Sequence, residues 1–385
     1  MSAAQRQLRP ISLMSLPLLV VVVAAAVSGG LAVSSRSLVD ALMSSPLRRP
    51  ITAFARDSMI KTAQKVGIDW PAYKEAIRGA NDWSASLSAV IAENPSLETP
   101  QYFREKFHAY EEGNLSLESA FEQEIAGKSV GARNFPSEGR SGESVLRGRL
   151  SASVLELGGA VLPSERPQLV VDMGCGTGTS TRNLALMFPS ADRIVGFDLS
   201  PHFIAVGRWL LKNAGAIDWV DNSIRDDARV ELRYGNMERT GLADGSAALV
   251  NMCLVMHELP LAATQRCLAE AARVLRPGGV MVLQEMDPSS PGYVKLRAGP
   301  LFYVLRSTEP FLDEYFDEVY PALDALLADA GFAVVRTAAS TGRHFTKVAI
   351  KAGSVDVRPS AADRLASDAH LSTWRVPAGG AARSD

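Results

Sequence analysis

The chain has 385 residues, of which 47% are hydrophobic and 21% charged, and its formal net charge is −2. This ordinary globular balance is enough for one domain with substantial additions, and it gives no electrostatic reason to expect nucleic acid as a partner. The three cysteines, Cys175, Cys253 and Cys267, are widely spaced, which excludes a disulfide framework and a cysteine-based zinc site. The five histidines lack HxxxH or HExxH spacing, so we predict no metal site.

An apolar stretch from Ile11 to Val33 follows Arg6 and Arg9 at the N-terminus. Its uninterrupted core resembles the h-region of a signal peptide, and the whole run is just long enough to cross a bilayer as an anchor. A buried helix is the weaker alternative, because the run is not amphipathic. We therefore predict a signal or anchor segment over residues 1–33 and an association with a membrane through residues 11–33.

The next stretch, SSRSLVDALMSSPLRRPITAFAR, is rich in serine and arginine. This composition is typical of organelle transit peptides, so the predicted destination is a plastid or the secretory pathway. From about Asp57 to Leu157, apolar residues recur at three- and four-residue spacings, which predicts helices. Residues 34–160 are therefore predicted to form a helical N-terminal extension that begins with a transit region. Residues 352–385 have no periodic pattern and are predicted to be a disordered tail.

The pattern changes at Pro167 to short apolar runs that alternate with amphipathic helices. Seven runs are predicted to be strands: QLVVDM, RIVGFDL, RVELRYG, AALVNMCLV, GGVMVLQEM, FAVVRTA and HFTKVAI. LRPGG before the fifth of them is predicted to be a tight turn. The alternation predicts an α/β fold over residues 161–351, with a Rossmann-like, mostly parallel seven-stranded sheet and helices on both faces.

The first of these strands leads into the glycine-rich stretch VVDMGCGTGTS. It is not a dinucleotide loop, because Thr179 stands where the third glycine of G-x-G-x-x-G would be, and no Gly-Lys-Ser/Thr follows as in a Walker A loop. The pattern is instead D-x-G-x-G-x-G, formed by Asp172, Gly174, Gly176 and Gly178. Asp172 would repel a pyrophosphate but suits a ligand with a positive ammonium group. S-adenosylmethionine has such a group and carries no phosphate.

The second strand ends in Asp198, twenty residues after Gly178. A carboxylate at this place can accept hydrogen bonds from both hydroxyls of a ribose. The alternative is a cap for the helix that begins near Pro201, a role that Ser200 can also fill. We favour the ribose role.

Five blocks occur in order: VVDMGCGTG, IVGFDLS, YGNMER, LVNMCLVMHELP and LRPGG. On these blocks the chain resembles class I S-adenosylmethionine-dependent methyltransferases from Pro167 to Lys351. It is most similar to the broad type 11 group that includes ubiquinone and menaquinone C-methyltransferases. FHAYEEGNLSLESAFEQE and RSTEPFLDEYF resemble segments of uncharacterised plant and algal plastid-type members of that group. The resemblance implies S-adenosylmethionine as cofactor and a small-molecule acceptor.

The resemblance also implies where the cofactor lies. Gly174 and Gly176 pass close to its methionine portion, and Asp198 holds its ribose. Asn236 and Met237 flank the adenine. Asn236 stands where the family more often has aspartate, but an amide can both accept from and donate to adenine.

At the end of the fourth strand, Cys253 and Leu254 are expected to line the sulfonium region through backbone groups. A nucleophilic role for Cys253 is disfavoured because methyl transfer is direct and no base flanks the thiol. The full set of predicted cofactor-binding residues is Asp172, Gly174, Cys175, Gly176, Gly178, Asp198, Leu199, Asn236, Met237, Cys253 and Leu254.

His257 and Glu258 follow the fourth strand as an acid–base pair. His257 is the predicted catalytic residue, because its ordinary pKa near neutrality would allow it to deprotonate an acceptor. The alternative is a histidine at a helix start whose ring bonds only to the backbone.

About thirty residues separate the fifth strand from the next predicted helix, a length typical of a lid or binding segment. A contact in a dimer is the alternative for this segment. Tyr303 and Arg306 within it, together with Tyr110 from the extension, are the predicted acceptor-binding residues.

The sequence therefore predicts an S-adenosylmethionine-dependent methyltransferase that acts on a small organic acceptor by direct in-line transfer. A quinone-ring C-methyltransferase at a membrane is the alternative among enzymes. A non-catalytic methyltransferase-like binding protein is the alternative from another class. The acceptor, the methylated atom and the oligomeric state are left open by the sequence.

Overall fold

The computed structural model describes residues 48–353, apart from residues 109, 164–166, 214–224, 299–301, 303–304 and 307. The predicted signal or anchor segment (residues 1–33), the start of the predicted transit region, Tyr303 and nearly all of the predicted tail lie outside the described residues. Among the helices that are described, none combines the length and the apolar character needed to cross a membrane.

In the described part of the chain, seven strands form one sheet with the order β3-β2-β1-β4-β5-β7-β6. The strands are β1 (Leu169–Met173), β2 (Arg193–Asp198), β3 (Val230–Tyr234), β4 (Ala247–Cys253), β5 (Leu275–Met286), β6 (Phe332–Ala339) and β7 (His344–Lys351). Neighbouring strands are parallel except that β7 runs antiparallel to both β5 and β6. The predicted Rossmann-like, mostly parallel sheet is confirmed, and each predicted strand is present.

Ten α-helices of seven or more residues lie in the described part of the chain. They are α1 (Arg48–Lys65), α2 (Trp70–Arg78), α3 (Trp83–Glu93), α4 (Leu117–Asn134), α5 (Gly142–Gly158), α6 (Thr179–Met187), α7 (Pro201–Asn213), α8 (Leu261–Val274), α9 (Pro291–Arg297) and α10 (Tyr320–Asp329). Side-chain caps fix several starts, because an acceptor at the N-cap satisfies an otherwise unpaired backbone N–H. Asp69 accepts from Ala72 N, and Asp82 accepts from Ala85 N, both at 3.0 Å.

The core lies on both faces of the sheet, because alternate side chains of a strand point to opposite faces. Val171 of β1 packs in one cluster with α8 and α10, while the adjacent Val170 packs in another with Val154 of α5 and Leu184 of α6. Every residue of β1 and β4 is buried, as expected for strands covered by helices on both sides. Helix α5, which the sequence assigns to the extension, is therefore part of the cover of the sheet.

The other helices of the extension pack on one another and on α7, and Val90 of α3 also packs with Leu232 of β3. Tyr73 of α2, Phe121 and Ile125 of α4, and Phe203 and Leu210 of α7 belong to one buried cluster. Because α7 follows the carboxyl end of β2, this packing brings α4 to the edge of the sheet where parallel strands end and ligands usually bind.

Two connecting segments, LRPGG and the segment after β5, differ from their predicted structures. LRPGG lies inside β5 as a bulge: Leu275 pairs with Ala247, Val280 pairs with Leu249, and Gly278 has a φ of +72°. The segment after β5 contains helix α9, a helical turn (Leu312–Glu314) and a π-helical turn (Tyr315–Val319) that continues into α10. It is thus a helical cover over the carboxyl ends of β4 and β5.

Candidate active site

The glycine loop after β1 has a backbone that only glycine adopts easily. Gly174, Gly176 and Gly178 have φ values of +75°, +54° and +90°, in the left-handed region where a Cβ is unfavourable. A Cβ on Gly174 would also lie 2.5 Å from Val255 Cγ2. The loop therefore passes close to the residues that follow β4, and the spacing of the three glycines is explained by local conformation.

Asp172 lies beneath this loop and is fully buried. Its Oδ2 accepts hydrogen bonds from Ser180 Oγ (2.6 Å) and Thr181 Oγ1 (2.7 Å), and its Oδ1 accepts one from Asn251 Nδ2 (2.8 Å). Burial raises the pKa of its carboxyl group. The carboxylate fastens β1 to α6 and β4 and is not on the surface of the cavity described below. Its predicted contact with an ammonium group stays a prediction.

Asp198, at the end of β2, faces that cavity. Its Oδ2 accepts from Gly176 N and its Oδ1 from Ser200 N, each at 2.8 Å, while burial raises its pKa to about 6. Ser200 Oγ accepts from Phe203 N at 3.1 Å and thereby caps α7. The helix-capping role is filled by Ser200, which leaves Asp198 beside the cavity.

The two residues predicted to flank adenine have different places. Met237 is buried and lines the cavity, whereas Asn236 does not. Asn236 Oδ1 accepts from Glu238 N at 2.8 Å and so shapes the turn after β3. Its contact with a cofactor stays a prediction.

A single cavity of about 800 Å³ begins at the glycine loop and extends under α4 and the helical segment after β5. We call its inner part the glycine-loop half; the side chains and backbone of Gly174, Cys175, Gly176, Asp198, Leu199, Met237, Cys253 and Leu254 line it. The rest, lined by residues of the extension, of the β4–α8 connection, of the segment after β5 and of the start of β7, is the outer half.

Leu254 and Cys253 mark the boundary between the two halves. Leu254 has a φ of +56°, and its N–H donates to Gln284 O at 2.8 Å; such a strained residue is common at functional sites. Arg147 Nη1 donates to Cys253 Sγ at 3.4 Å. Burial raises the pKa of the Cys253 thiol to about 11, so it is protonated at neutral pH and is a poor nucleophile.

Helix α4 is joined to the glycine loop by a buried polar network that the sequence analysis did not predict. Thr177 N donates to Gln123 Oε1 at 2.6 Å. Glu124 Oε1 accepts from Thr177 Oγ1 (2.8 Å), Thr179 Oγ1 (2.9 Å) and Arg182 Nη2 (2.6 Å). Although burial raises the pKa of Glu124, Arg182 and the hydroxyls lower it below its ordinary value. A glutamate in the middle of a helix gives no sign in the sequence that it is buried.

His257 lines the outer half and is ion-paired. Its Nδ1 lies 2.9 Å from Glu285 Oε1, and Glu285 Oε2 accepts from Met256 N at 2.8 Å. Burial alone would lower the pKa of His257, but the Glu285 carboxylate raises it to about 9. The ring is therefore protonated at neutral pH and does not accept a proton there, which weakens its predicted role as a base; that role stays a prediction.

Glu258 also faces the outer half, and burial raises its pKa to about 7. Its Oε2 accepts from Asn114 Nδ2 at 3.1 Å. Nearby, His108 Nε2 lies 2.9 Å from Glu309 Oε1. Burial would lower the pKa of His108, but Glu309 raises it. Glu309 Oε2 is buried with no hydrogen-bond partner in the described part of the chain. We call His108, His257, Glu258 and Glu309 the acid–base cluster; His108 and Glu309 were missed by sequence reasoning.

The predicted acceptor-binding residues are only partly brought together. Tyr110 lines the cavity, donates to Glu122, and has the Arg56 guanidinium 5.2 Å from its ring centre. Arg306 is ion-paired with Asp313 and is not part of the lining. Tyr303 lies outside the described residues, so the contacts of all three with an acceptor stay predictions.

Comparison with known proteins now bears on this site. The family model described as a methyltransferase domain matches residues 171–283, from β1 to β5. An uncharacterised methyltransferase of Synechocystis is 30% identical over 169 residues, which cover 44% of this chain and 68% of that protein. The chain belongs to the class I S-adenosylmethionine-dependent methyltransferases. The predicted family and its cofactor, S-adenosylmethionine, are thereby confirmed.

This methyltransferase is also similar to other known proteins. An uncharacterised methyltransferase of Emericella nidulans is 31% identical over 147 residues, or 36% of this chain and 50% of that protein. The crystal structure of human N-acetylserotonin methyltransferase in complex with S-adenosylmethionine is 16% identical, with a TM-score of 0.44 over 70% of this chain and 67% of that one. The chain spans half or less of the length of the first curated relatives it matches.

The glycine-loop half fits the cofactor of this family on chemical grounds. The Asp198 carboxylate can accept from two hydroxyl groups of a ribose. Met237 offers an apolar face for a purine. The loop backbone at Gly174 and Gly176 also lines the cavity, and the absence of a Cβ on each makes room for the side chains of Val255 and Gln123 that pack against the loop.

Proposed function

We propose that this methyltransferase transfers a methyl group from S-adenosylmethionine to a small organic acceptor bound in the outer half of the cavity. The observation that carries this proposal is continuity: one cavity of about 800 Å³ joins the glycine-loop half to the acid–base cluster. When bound, the cofactor supplies an electrophilic methyl group on sulfur. The chain therefore mainly has to align the acceptor and exclude water.

We assign proton removal to Glu258 rather than to His257. Glu258 has a pKa of about 7, so a large fraction is ionised at neutral pH and can take a proton from a hydroxyl, an amine or an acidic carbon. The proton moves to a Glu258 carboxylate oxygen while the acceptor's electron pair becomes available for the methyl group. The positive charge of His257, held by Glu285, favours the ionised form of both Glu258 and the acceptor.

A quinone-ring C-methyltransferase at a membrane is the second candidate. It rests on the apolar stretch from Ile11 to Val33, which lies outside the described residues. The outer half has charged side chains such as Glu258 and Glu309 beside aromatic and aliphatic ones such as Phe311, which suits an acceptor with both a polar and an apolar part. Membrane association through residues 11–33, a plastid or secretory location, and closeness to the quinone-methylating group or to plant and algal members stay predictions.

Isothermal titration of the protein with S-adenosylmethionine tests the proposal. We expect Asp198→Ala to weaken binding by about 10- to 100-fold, because a hydrogen bond to a charged group contributes roughly 1.5–3 kcal/mol. Asp244→Ala is the matched control, since its carboxylate is 83% exposed and pairs with Arg273 at the surface. No binding by the unmodified chain, or equal binding by Asp198→Ala, contradicts the proposal.

Release of S-adenosylhomocysteine in the presence of a cell metabolite extract separates an enzyme from a non-catalytic binding protein. We expect release that depends on both the extract and the protein. Tight cofactor binding without release in any extract fraction would support the binding protein instead.

A further inference from the structure

Two arginines from distant parts of the chain line the outer half of the cavity: Arg133 on α4 and Arg343 immediately before β7. Within the part of the chain that the structure describes, Arg133 donates only to hydroxyls, at 3.2 and 3.3 Å to Thr62 Oγ1 and 3.5 Å to Ser58 Oγ. The Arg343 guanidinium makes no hydrogen bond or ion pair with any residue that the structure describes, although its backbone N–H donates to Thr341 Oγ1. Both guanidinium groups therefore have donors that bond to none of the described residues.

A third arginine of the cavity lining, Arg147, differs from these two because it is ion-paired. Arg147 lines the same cavity, and its Nε lies 3.0 Å from Glu143 Oε1. No carboxylate of the described chain neutralises Arg133 or Arg343 in this way. These two guanidinium groups thus have no ion-paired carboxylate among the described residues, although Glu258 and Glu309 also line the outer half.

Burial makes such charge unfavourable. Arg133 is only partly accessible, and both its burial and the nearby Arg343 lower the pKa of its guanidinium. Two guanidinium groups that repel each other in a partly buried cavity lower the stability of the empty protein, whereas an anion between them relieves the repulsion. Guanidinium is also the group best suited to a carboxylate, which it can bind by two parallel hydrogen bonds.

The sheet register indicates how far Arg343 is from the glycine-loop half. His344 pairs with Met286 across β5 and β7, and Cys253 pairs with Gln284 across β4 and β5. Adjacent strands are about 4.8 Å apart and each residue advances about 3.3 Å, so the backbone of Arg343 lies roughly 10 Å across the sheet and roughly 10 Å along it from the end of β4, or about 14 Å in all. The long Arg343 side chain and a small organic molecule can span this distance together, with the other end of the molecule at Leu254.

We propose that Arg133 and Arg343 form an anion-binding site that holds a carboxylate of the methyl acceptor. The acceptor would then be a small organic acid, anchored by its carboxylate at the β7 side of the cavity. Its reacting group would lie towards the acid–base cluster and Leu254. The assignment of the anion to an acceptor rests on the proposed function; the binding site itself does not require turnover.

The test uses benzoate and its uncharged analogue benzamide as probes, titrated into the full chain saturated with S-adenosylhomocysteine. We expect benzoate to bind at least about tenfold more tightly than benzamide, because it gains charge-assisted hydrogen bonds. Arg343→Gln and Arg133→Gln should each remove this preference, and Arg343→Lys should restore part of it. Arg193→Gln is the control, because Arg193 pairs with Glu231 at the opposite end of β2 and is 52% exposed.

The donor's own carboxylate is the other source of an anion, and the same variants distinguish it. If Arg133→Gln and Arg343→Gln weaken S-adenosylmethionine binding and leave the benzoate preference unchanged, the site belongs to the donor and the proposal is overturned. Equal binding of benzoate and benzamide by the unmodified chain, or no binding of benzoate, also overturns it. Failure to bind S-adenosylhomocysteine would instead contradict the proposed function and is measured separately.

Discussion

The two halves of the cavity are built in different ways. The glycine-loop half is formed by backbone and short turns that directly follow β1, β2, β3 and β4, so each contributing residue lies next to a strand end. The outer half is formed by side chains from the extension, the β4–α8 connection, the segment after β5 and the start of β7, where charged groups such as Glu258, Glu309 and Arg343 lie among aromatic and aliphatic ones. Backbone geometry thus defines the first half, and a balance of buried charges defines the second. The variants below test that difference.

The largest effect is expected at the acid–base cluster. If Glu258 removes the acceptor's proton, Glu258→Gln lowers kcat/KM for the acceptor by about 10²–10⁴-fold, the usual contribution of a general base. The activity of the unmodified chain should rise as the pH increases through about 7, because only the ionised form of Glu258 accepts a proton.

Cofactor affinity is the control measurement for Glu258→Gln. It should be unchanged in Glu258→Gln, and the exposed Glu138→Gln should leave both kinetics and affinity unaltered. An unchanged kcat/KM in Glu258→Gln would show that the outer half positions the acceptor without taking its proton.

The next largest effect is on stability. Glu285→Ala leaves the imidazolium of His257 and three backbone N–H groups without their buried acceptor. Breaking a buried ion pair typically costs about 3–5 kcal/mol, and chemical denaturation measures the change in the free energy of unfolding. Glu285→Gln, which keeps an oxygen acceptor, should lose less. A change of less than about 1 kcal/mol in Glu285→Ala would mean that this charge does not organise the outer half.

In the glycine-loop half, the substitution that corresponds to Glu285→Ala is one that creates a steric clash. Gly174→Ala forces a side chain into a φ of +75° and towards Val255, which we expect to cost about 1–3 kcal/mol of stability. It should also weaken S-adenosylmethionine binding. Gly148→Ala is the matched control, because Gly148 is exposed within α5 and nothing lies within 4 Å of an added Cβ. Equal effects of Gly174→Ala and Gly148→Ala on stability and cofactor binding would contradict the conclusion that backbone geometry defines the glycine-loop half.

The smallest effect is the pH dependence of cofactor binding. Burial raises the pKa of Asp198 to about 6, and only its ionised form offers acceptors to both hydroxyls of a ribose. Affinity should therefore fall as the pH decreases through about 6, by up to about tenfold at pH 5. Isothermal titration at several pH values measures this. An affinity for S-adenosylmethionine that does not change between pH 5 and about 7 would show that Asp198 does not bind the ribose.

The same difference explains what the sequence could predict. The glycine spacing, Asp198, Met237 and the seven strands follow from short-range patterns, because a strand and the turn after it are adjacent in the chain. The positions of Asp172 and Asn236 could not be predicted, since a carboxylate or an amide next to a binding loop can bond either to a ligand or to the protein. The structure gives them protein partners.

The outer half depends on contacts between residues far apart in the chain. His108 and Glu309 are 201 positions apart, and Arg133 and Arg343 are 210 apart. A single sequence contains no signal for such pairs. The charge of His257 also could not be predicted from the sequence, because the partner that raises its pKa, Glu285, lies 28 positions away on β5.

The ion pair between Glu124 and Arg182 has a consequence for how such proteins could be shortened or recombined. Removing α4 would leave Arg182 buried without its counter-charge, at a cost of about 3–5 kcal/mol. The helical extension and the sheet should therefore melt in a single cooperative transition rather than as separate modules. A chimera that takes its acceptor-binding helices from a relative would have to inherit both halves of this pair together.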